Sequence, residues 1–209
     1  MLGSFLFIPS LLRLVAFTCA QPTPPASVTP PTPDPFSFVD PRIGTGGDGF
    51  GIGSVPIAAQ VPFGSMRLGP DTLGILHSDL EFRHFSGYYD SDRTVRAFSH
   101  TRLVGAGVSD YGSIGVMPTR PPVSPASAAP DGAKATFKKS TEAAAPGRYD
   151  VWLQSIGVNV SLSAAGPFTA VHRYTNTRAE PLSLQLDFAH AAGAFEPQRA
   201  AAPSHTVFM

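Results

Sequence analysis

The second half of the chain is a succession of short segments in which apolar and polar residues alternate. Four such segments follow one another, at residues 149–154, 158–163, 170–174 and 182–187. Each has the length of one ordinary strand, and about a dozen residues separate the start of one from the next. Alternation places one side of each strand in a core and leaves the other side in water. The pattern therefore predicts antiparallel neighbours in an all-β sandwich.

The composition agrees with this prediction and excludes several other classes of protein. The 209 residues include 22 prolines and 20 glycines, and only 14% are charged. This composition favours many turns and short strands, and nearly excludes a helical bundle. Lysine plus arginine and aspartate plus glutamate both number 15. No basic surplus is present to bind a phosphate backbone, so we expect no nucleic-acid partner.

The N-terminal residues 1–20 have the character of a secretory signal peptide. They are mostly apolar and end in small residues, which predicts cleavage after this segment and a secreted or secretory-pathway protein. Pro9 and Arg13 interrupt the apolar run, so no stable membrane span is expected. Cleavage would also remove Cys19, the only cysteine, and would leave a chain without disulfides.

Two further segments lack the periodicity of a strand. Residues 21–35 form a tract rich in proline and threonine, which predicts an extended linker. The folded domain is then expected to span residues 36–209. Within it, residues 121–130 are rich in proline, serine and alanine and are interpreted as a surface loop.

The glycine-rich stretch 44–53 contains a formal G-x-G-x-x-G pattern. A dinucleotide site would need a helix to begin at this loop. Pro56 and Pro62 follow instead, and proline at these positions prevents a regular helix from continuing. The stretch is better interpreted as a tight or flexible loop whose backbone can approach a ligand or another domain closely.

Aromatic and charged residues are concentrated between residues 83 and 111. Aromatic rings can stack on a sugar ring while carboxylates and guanidinium groups bind its hydroxyls. A hydrogen-bond network without a ligand fits the same composition equally well. The spacing of Asp90 and Asp92 lacks the glycine and distal glutamate of a calcium loop, so no metal ligands are predicted. The six histidines suggest no catalytic triad.

One N-glycosylation sequon occurs, formed by Asn159, Val160 and Ser161. In a protein secreted from a eukaryote, Asn159 is the candidate glycosylation site. An unused sequon is the alternative, because such triplets often arise by chance.

Several short motifs follow one another in a fixed order along the chain. They are Val39–Pro41, Ile43–Gly47, Val61–Gly64, Pro70–Thr72, Ser86–Tyr88, Phe98–Thr101, Ser109–Gly112, Met117–Pro118 and Pro146–Tyr149. In this order and spacing they resemble the N-terminal domain of glycoside hydrolase family 92, the calcium-dependent inverting α-mannosidases.

The resemblance implies a two-domain enzyme whose N-terminal β-sandwich, a galactose-mutarotase-like supersandwich, is joined to an (α/α)6 barrel. The barrel would carry the catalytic carboxylates and the calcium ligands, and sandwich loops would help to close the sugar site. We therefore expect no catalytic residue, metal ligand or cofactor in this chain, and calcium only in the full-length enzyme. The candidate carbohydrate-binding residues are Gly47, Asp48, Phe50, Tyr88, Tyr89, Asp90, His100, Arg102, Asp110 and Tyr111.

This chain departs from the family pattern at two of these positions. The family commonly has histidine where Arg102 stands and an aromatic residue where Asp90 stands. The loop 47–51 also differs from the histidine-containing version of many members. The linkage preference of the family therefore does not carry over to this chain.

A barrel of six helical hairpins does not fit between Tyr174 and Met209. An inverting mechanism needs two carboxyl groups about 6.5–9.5 Å apart, and the resemblance places the catalytic carboxylates on that barrel. Residues 204–209 resemble the start of a further strand, so the sandwich is expected to be truncated. We expect the N-terminal domain of an exo-α-mannosidase that removes mannose from glycans and glycoproteins, inactive alone, with mannose-containing glycans and the (α/α)6 domain as partners. The alternatives are a stand-alone carbohydrate-binding module and a module that only docks on a partner.

Overall fold

A computed structural model of the chain describes residues 33–47, 53–73, 86–105, 112–122, 132–192 and 206–208. Asp34–Met209 forms one compact unit. Its elements within the described ranges are two short 3-10 helices, Pro35–Phe38 and Lys139–Thr141, and eleven strands. The strands are β1 Ala59–Gln60, β2 Arg67–Leu73, β3 Thr94–Ser99, β4 Gly115–Thr119, β5 Ala135–Thr136, β6 Ala143–Ala145, β7 Arg148–Leu153, β8 Val158–Gly166, β9 Thr169–Asn176, β10 Ser183–Asp187 and β11 Thr206–Phe208.

The strands form two antiparallel sheets. The larger sheet has the order β1-β2-β3-β4-β10-β11, with β5 paired to β3. The smaller sheet is a meander with the order β6-β7-β8-β9. The turn between β7 and β8 contains Gly157, whose φ of 64° is a conformation that glycine adopts without strain.

Alternation along the strands of the smaller sheet puts one face into the core. In β7, Tyr149, Val151 and Leu153 are buried, while the residues between them are exposed or half-buried. In β8, Val158 and Val160 are buried and Asn159 is exposed. The prediction of half-buried antiparallel strands is confirmed for these elements.

Both sheets contribute to one hydrophobic core. Ile57, Leu68, Val95 and Phe98, from the larger sheet or the segment leading into it, lie in the same buried cluster as residues of β7 and β8. Two sheets that share a core in this way form a sandwich. The predicted all-β fold class is therefore confirmed.

The fourth predicted strand lies in a different sheet from the one expected. Ser183–Asp187 does not pair with β9; it pairs with β4 in the larger sheet. The Arg120 guanidinium, just after β4, accounts for this crossing. It donates to the carbonyls of Ile156 at 2.6 Å and Glu180 at 2.6 Å, and to Asn176 Oδ1 at 2.7 Å. The segment after β9 is thereby directed to the larger sheet. The sequence of residues 175–178 predicts a turn, but Asn176 is the last residue of β9.

The remaining expectations concern the C-terminal strand, the glycine-rich loop and the N-terminal segments. Thr206–Phe208 forms a strand and pairs with β10, as predicted for this segment. No helix follows the glycine-rich loop in residues 53–66, in agreement with the rejected dinucleotide site. No helix in the described part of the chain is long and apolar enough to cross a membrane. The signal peptide, most of the linker and residues 123–130 lie outside the described residues.

Candidate functional site

A buried carboxylate, Glu142, organises one polar cluster beneath the glycine-rich loop. Its side chain lies between the second 3-10 helix and β6 and has no exposed surface. It accepts hydrogen bonds from the Tyr149 hydroxyl at 2.7 Å and from the Tyr88 hydroxyl at 3.0 Å. Lys139 Nζ lies 2.8 Å from the same carboxylate. One charged acceptor therefore satisfies three donors from different elements.

The two tyrosines of this cluster remain protonated. Burial, followed by the negative charge of Glu142, raises the pKa of Tyr88 and the pKa of Tyr149 well above the ordinary value. Both hydroxyls are therefore donors at neutral pH, and Glu142 accepts from them. The cluster holds the Tyr88 segment against β7.

The same cluster reaches solvent at Asp90 and Lys139. Lys139 Nζ lies 3.2 Å from Asp90 Oδ1, and the side chains are 21% and 50% exposed respectively. The ammonium also lies 4.6 Å above the centre of the Tyr88 ring, a favourable cation–π position. The Asp90 carboxylate presents an acceptor at the protein surface, where a ligand hydroxyl can reach it, while the three N–H groups of Lys139 are donated to Tyr88, Asp90 and Glu142.

The glycine-rich loop packs directly on the segment that carries Asp90. The Asp90 amide donates to the Thr45 carbonyl at 3.0 Å, and the Tyr89 hydroxyl donates to the Gly47 carbonyl at 2.5 Å. A Cβ at Gly46 would lie 2.7 Å from Asp90 Cβ, so only glycine allows this close approach. The structure therefore brings together four of the predicted residues: Gly47, Tyr88, Tyr89 and Asp90.

A second polar cluster is buried in the larger sheet around Asp71. Arg102 lies 2.8 Å and His190 2.7 Å from its two carboxylate oxygens. Arg102 also donates to the Pro70 carbonyl at 2.6 Å and to Ser99 Oγ at 3.1 Å. Burial alone would raise the pKa of Asp71, but Arg102 and His190 hold it below its usual range. The carboxylate stays ionised and connects β2 with the segment that follows β10.

A chain of hydrogen bonds at His100 and His172 connects the two sheets. His100 follows β3 in the larger sheet and His172 lies in β9 of the smaller sheet. Their Nε2 atoms are 2.9 Å apart; His100 Nδ1 lies 2.9 Å from the Ile114 carbonyl and His172 Nδ1 lies 2.8 Å from the Tyr174 hydroxyl.

For neutral imidazoles, the partners at the two ends determine the tautomers of this chain of hydrogen bonds. The Ile114 carbonyl only accepts, so His100 donates from Nδ1 and accepts at Nε2. His172 must then donate from Nε2 and accept at Nδ1 from Tyr174, whose hydroxyl burial keeps protonated by raising its pKa. Burial, followed by the nearby His100, lowers the pKa of His172 to about 4. The His172 imidazole is therefore neutral at pH 7.

The predicted carbohydrate-binding residues fall into three groups in the structure. Asp48, Phe50, Asp110 and Tyr111 lie outside the described residues. Asp90 and His100 are half-buried, and Gly47 lies in the exposed loop. Tyr88, Tyr89 and Arg102 are buried, with exposed fractions of 0%, 6% and 1%. Carbohydrate binding by this set stays a prediction, and for Tyr88 and Arg102 the burial favours a structural role.

Sequence reasoning did not single out Glu142, Lys139 or His172. Glu142 and Lys139 lie in residues 138–145, a segment without a recognisable motif, and their partners Tyr88 and Asp90 are more than 45 positions away. His172 was assigned only to a strand. A signal was available for Asp71, which lies in the quoted motif Pro70–Thr72.

The described residues do not provide a calcium site of their own. Within the described ranges, no group of three or more His, Cys, Asp or Glu side chains is placed to hold a metal ion. The buried carboxylates Asp71 and Glu142 are instead paired with cations and hydroxyl groups of the chain. Within the described ranges, these two carboxylates are therefore not available as calcium ligands.

Comparison with known families identifies the domain. Residues 38–205 match the profile of the glycosyl hydrolase family 92 N-terminal domain. The chain belongs to glycoside hydrolase family 92. The matched range starts close to Asp34, where the compact unit begins, so the β-sandwich is the family 92 N-terminal domain.

Solved family 92 structures have the same fold. The family GH92 α-mannosidase BT3965 from Bacteroides thetaiotaomicron is 26% identical, with a TM-score of 0.62 over 78% of this chain and 21% of that chain. The GH92 family glycosyl hydrolase ccman5 is 27% identical, with a TM-score of 0.59 over 76% of this chain and 21% of that chain.

A further solved structure shows the fold at lower identity. The family GH92 inverting mannosidase BT2199 from Bacteroides thetaiotaomicron is 24% identical, with a TM-score of 0.60 over 76% of this chain and 20% of that chain. This family 92 chain thus spans about a fifth of the length of these solved proteins. No curated protein sequence matches it significantly.

Proposed function

We propose that the chain is the N-terminal module of an exo-α-mannosidase that removes mannose from glycans and glycoproteins. The single observation that carries this proposal is the family 92 match over residues 38–205. The likeness to two α-mannosidases of that family, over about a fifth of their length, supports it. A secretory route, as residues 1–20 predict, would place the enzyme with glycoprotein substrates.

In this proposal the module binds and positions the sugar, and a second domain supplies the catalytic carboxylates. The burial and pairing of Asp71 and Glu142 support this division, because a general acid or base must reach the scissile bond. The chain alone would then be inactive. Calcium would belong to the full-length enzyme and not to the described part of this module.

Asp90 and Lys139 are the residues that we expect to face the sugar. They form the solvent-exposed edge of the Glu142 cluster, and the backbone of the glycine-rich loop lies against Asp90. The Asp90 carboxylate can accept from a sugar hydroxyl, and Lys139 can donate to an adjacent hydroxyl by exchanging its 3.2 Å contact with Asp90. Gly47, Tyr88 and Tyr89 hold this edge in place.

The experiment is a nuclear magnetic resonance titration of the purified chain with α-linked mannobiose. Lys139→Ala is expected to weaken binding about tenfold, the effect of losing roughly 1.4 kcal/mol. Lys138→Ala is the matched control, because this neighbouring lysine is exposed and has the same charge. Equal binding by both variants, or no binding by the folded parent chain, would contradict the proposed sugar contact.

Exposed apolar side chains support a docking role toward the second domain. Phe63 is fully exposed and Phe168 is 75% exposed. The segments that carry them are in contact, because the Met66 amide donates to the Pro167 carbonyl at 3.0 Å. Exposed apolar surface of this kind is typical of an interface. We propose that this surface, formed by Phe63 and Phe168, contacts the (α/α)6 domain.

A further inference from the structure

A second polar and aromatic surface lies on the outer face of the smaller sheet, in a groove around Trp152. The groove has a volume of about 440 Å3 and is lined by residues of β7 and β8 together with Thr141. Its volume lies within the range of ligand clefts, about 300–1,000 Å3. None of its lining residues belongs to the Glu142, Asp71 or His100 clusters described above.

Trp152 is in an unusual position for a tryptophan in a sandwich. It is the only tryptophan of the chain, and the inward positions of β7 belong to Tyr149, Val151 and Leu153. Trp152 therefore points away from the core and is half-buried on the outer face. Its cross-strand partner is Asn159, which is exposed.

The polar groups beside Trp152 are held in fixed positions. Asp150 accepts a hydrogen bond from Ser161 at 2.6 Å and a two-point contact from Arg148 at 2.6 and 3.0 Å. Partial burial would raise the pKa of Asp150, but the hydrogen bonds from Arg148 and Ser161 hold it below the usual range. Asp150 is thus an ionised acceptor at neutral pH.

The groove also offers donors and acceptors. The exposed side-chain amide of Asn159 carries both a carbonyl and an NH2 group, and the indole of Trp152 has one N–H donor. An aromatic face surrounded by such groups has the chemistry that recognises a pyranose ring, with an apolar face and a rim of hydroxyls.

We propose that the groove around Trp152 binds a saccharide ring on the outer face of the smaller sheet. The ring stacks on the indole, and Asn159 and Asp150 hydrogen-bond its polar groups. This proposal does not rest on the proposed mannosidase role. The saccharide has two potential sources: a glycan attached to the sequon at Asn159, or a free oligosaccharide.

The single tryptophan makes the groove directly observable, because the intrinsic indole fluorescence of the chain comes from Trp152. The first arm uses chain expressed in bacteria, without a glycan, titrated with chitotriose and with mannotriose at millimolar concentration. A saturable change in emission that Asn159→Ala weakens about tenfold is the result expected for a free saccharide.

The second arm uses chain secreted from a eukaryotic host. Glycosylation at Asn159 is expected to change the emission and raise the melting temperature, and enzymatic removal of the glycan is expected to reverse both. Asn159→Gln should resemble the deglycosylated protein. This result would assign the groove to the attached glycan.

Trp152 itself is tested by calorimetry on the same preparations. Trp152→Ala should abolish saccharide binding in the first arm, or the stabilisation by the glycan in the second. Trp152→Phe keeps an aromatic ring and should retain most of the saccharide binding, or most of the stabilisation by the glycan. This variant separates the loss of stacking from a folding defect. Phe38→Ala is the matched control, because it removes an exposed aromatic ring outside the groove. The proposal is overturned if neither sugar changes the emission and the glycan changes neither the emission nor the melting temperature. It is also overturned if the Trp152 variants behave like the control.

Discussion

Two buried carboxylates, Asp71 and Glu142, determine how the loops are held on this sandwich. Each interacts with groups that are distant in sequence. Asp71 forms an ion pair with Arg102, and Glu142 accepts a hydrogen bond from Tyr88. Removing one partner of such a pair leaves the other buried without compensation, at a cost of several kcal/mol. The candidate sugar edge at Asp90 therefore depends on side chains beneath it that a ligand does not touch.

Glu142→Gln tests the first of these clusters. The amide keeps the shape but loses the charge, and its NH2 group faces donors instead of accepting from them. We expect the free energy of unfolding in urea to fall by about 1–3 kcal/mol. Glu180→Gln, at an exposed position, is the control and should be nearly neutral. A Glu142→Gln protein as stable as the parent would show that the cluster contributes little.

The histidine chain between the sheets predicts a dependence of stability on pH. The folded pKa of His172 is lowered to about 4 from 6.5, so the unfolded chain binds the proton more tightly. Stability is therefore fully present above about pH 6.5 and falls as the pH decreases toward about 4.

His172→Gln should flatten this dependence, as measured by urea unfolding at several pH values between 4 and 7. Tyr174→Phe serves as the comparison. It removes one hydrogen bond but keeps the imidazole, so the protein should lose stability at all these pH values and keep the slope. A His172→Gln protein with the parent's slope would mean that other groups cause the pH dependence.

Among the described strands, β10 has the pairing that is most distant in sequence. Alternation from Val158 to Leu162 predicted β8 and its buried face, because pairing between neighbours in a meander needs only local turns. The same pattern in Ser183–Asp187 identified a strand but not its sheet. Its partner is β4, more than 60 residues earlier, and the contacts of Arg120 that direct it there have no local signal.

Deleting residues 206–209 should expose the edge of β10. In the intact chain, Thr206–Phe208 pairs with Gln185–Asp187, and an unpaired edge strand is a template for association. We expect faster hydrogen exchange of the β10 amides and a larger mean mass by light scattering. Deleting Met209 alone leaves the strand intact and is the control. Unchanged exchange in β10 after the longer deletion would contradict the contribution of β11.

For the whole molecule, the sequence was most informative about the fold and the family. At motifs such as Ile43–Gly47 and Ser86–Tyr88, the backbone lies close to neighbouring atoms. This closeness restricts which residue types can occupy these positions, so the local sequence carries the signal. The candidate site was less predictable because its cluster depends on Lys139 and Glu142, which reach Tyr88 only through the tertiary fold. Burial of Tyr88 and Arg102 could not be inferred from their residue types.

The proposed role of the protein is tested most directly by measuring mannose release by the native protein. An antibody against residues 34–209 would recover it from its source, and the precipitate would be assayed with α-linked mannobiose. We expect calcium-dependent release of mannose with inversion at the anomeric carbon, and none from the recombinant 209-residue chain. A precipitate that contains the module but releases no mannose, or equal release by the recombinant chain, would contradict the account.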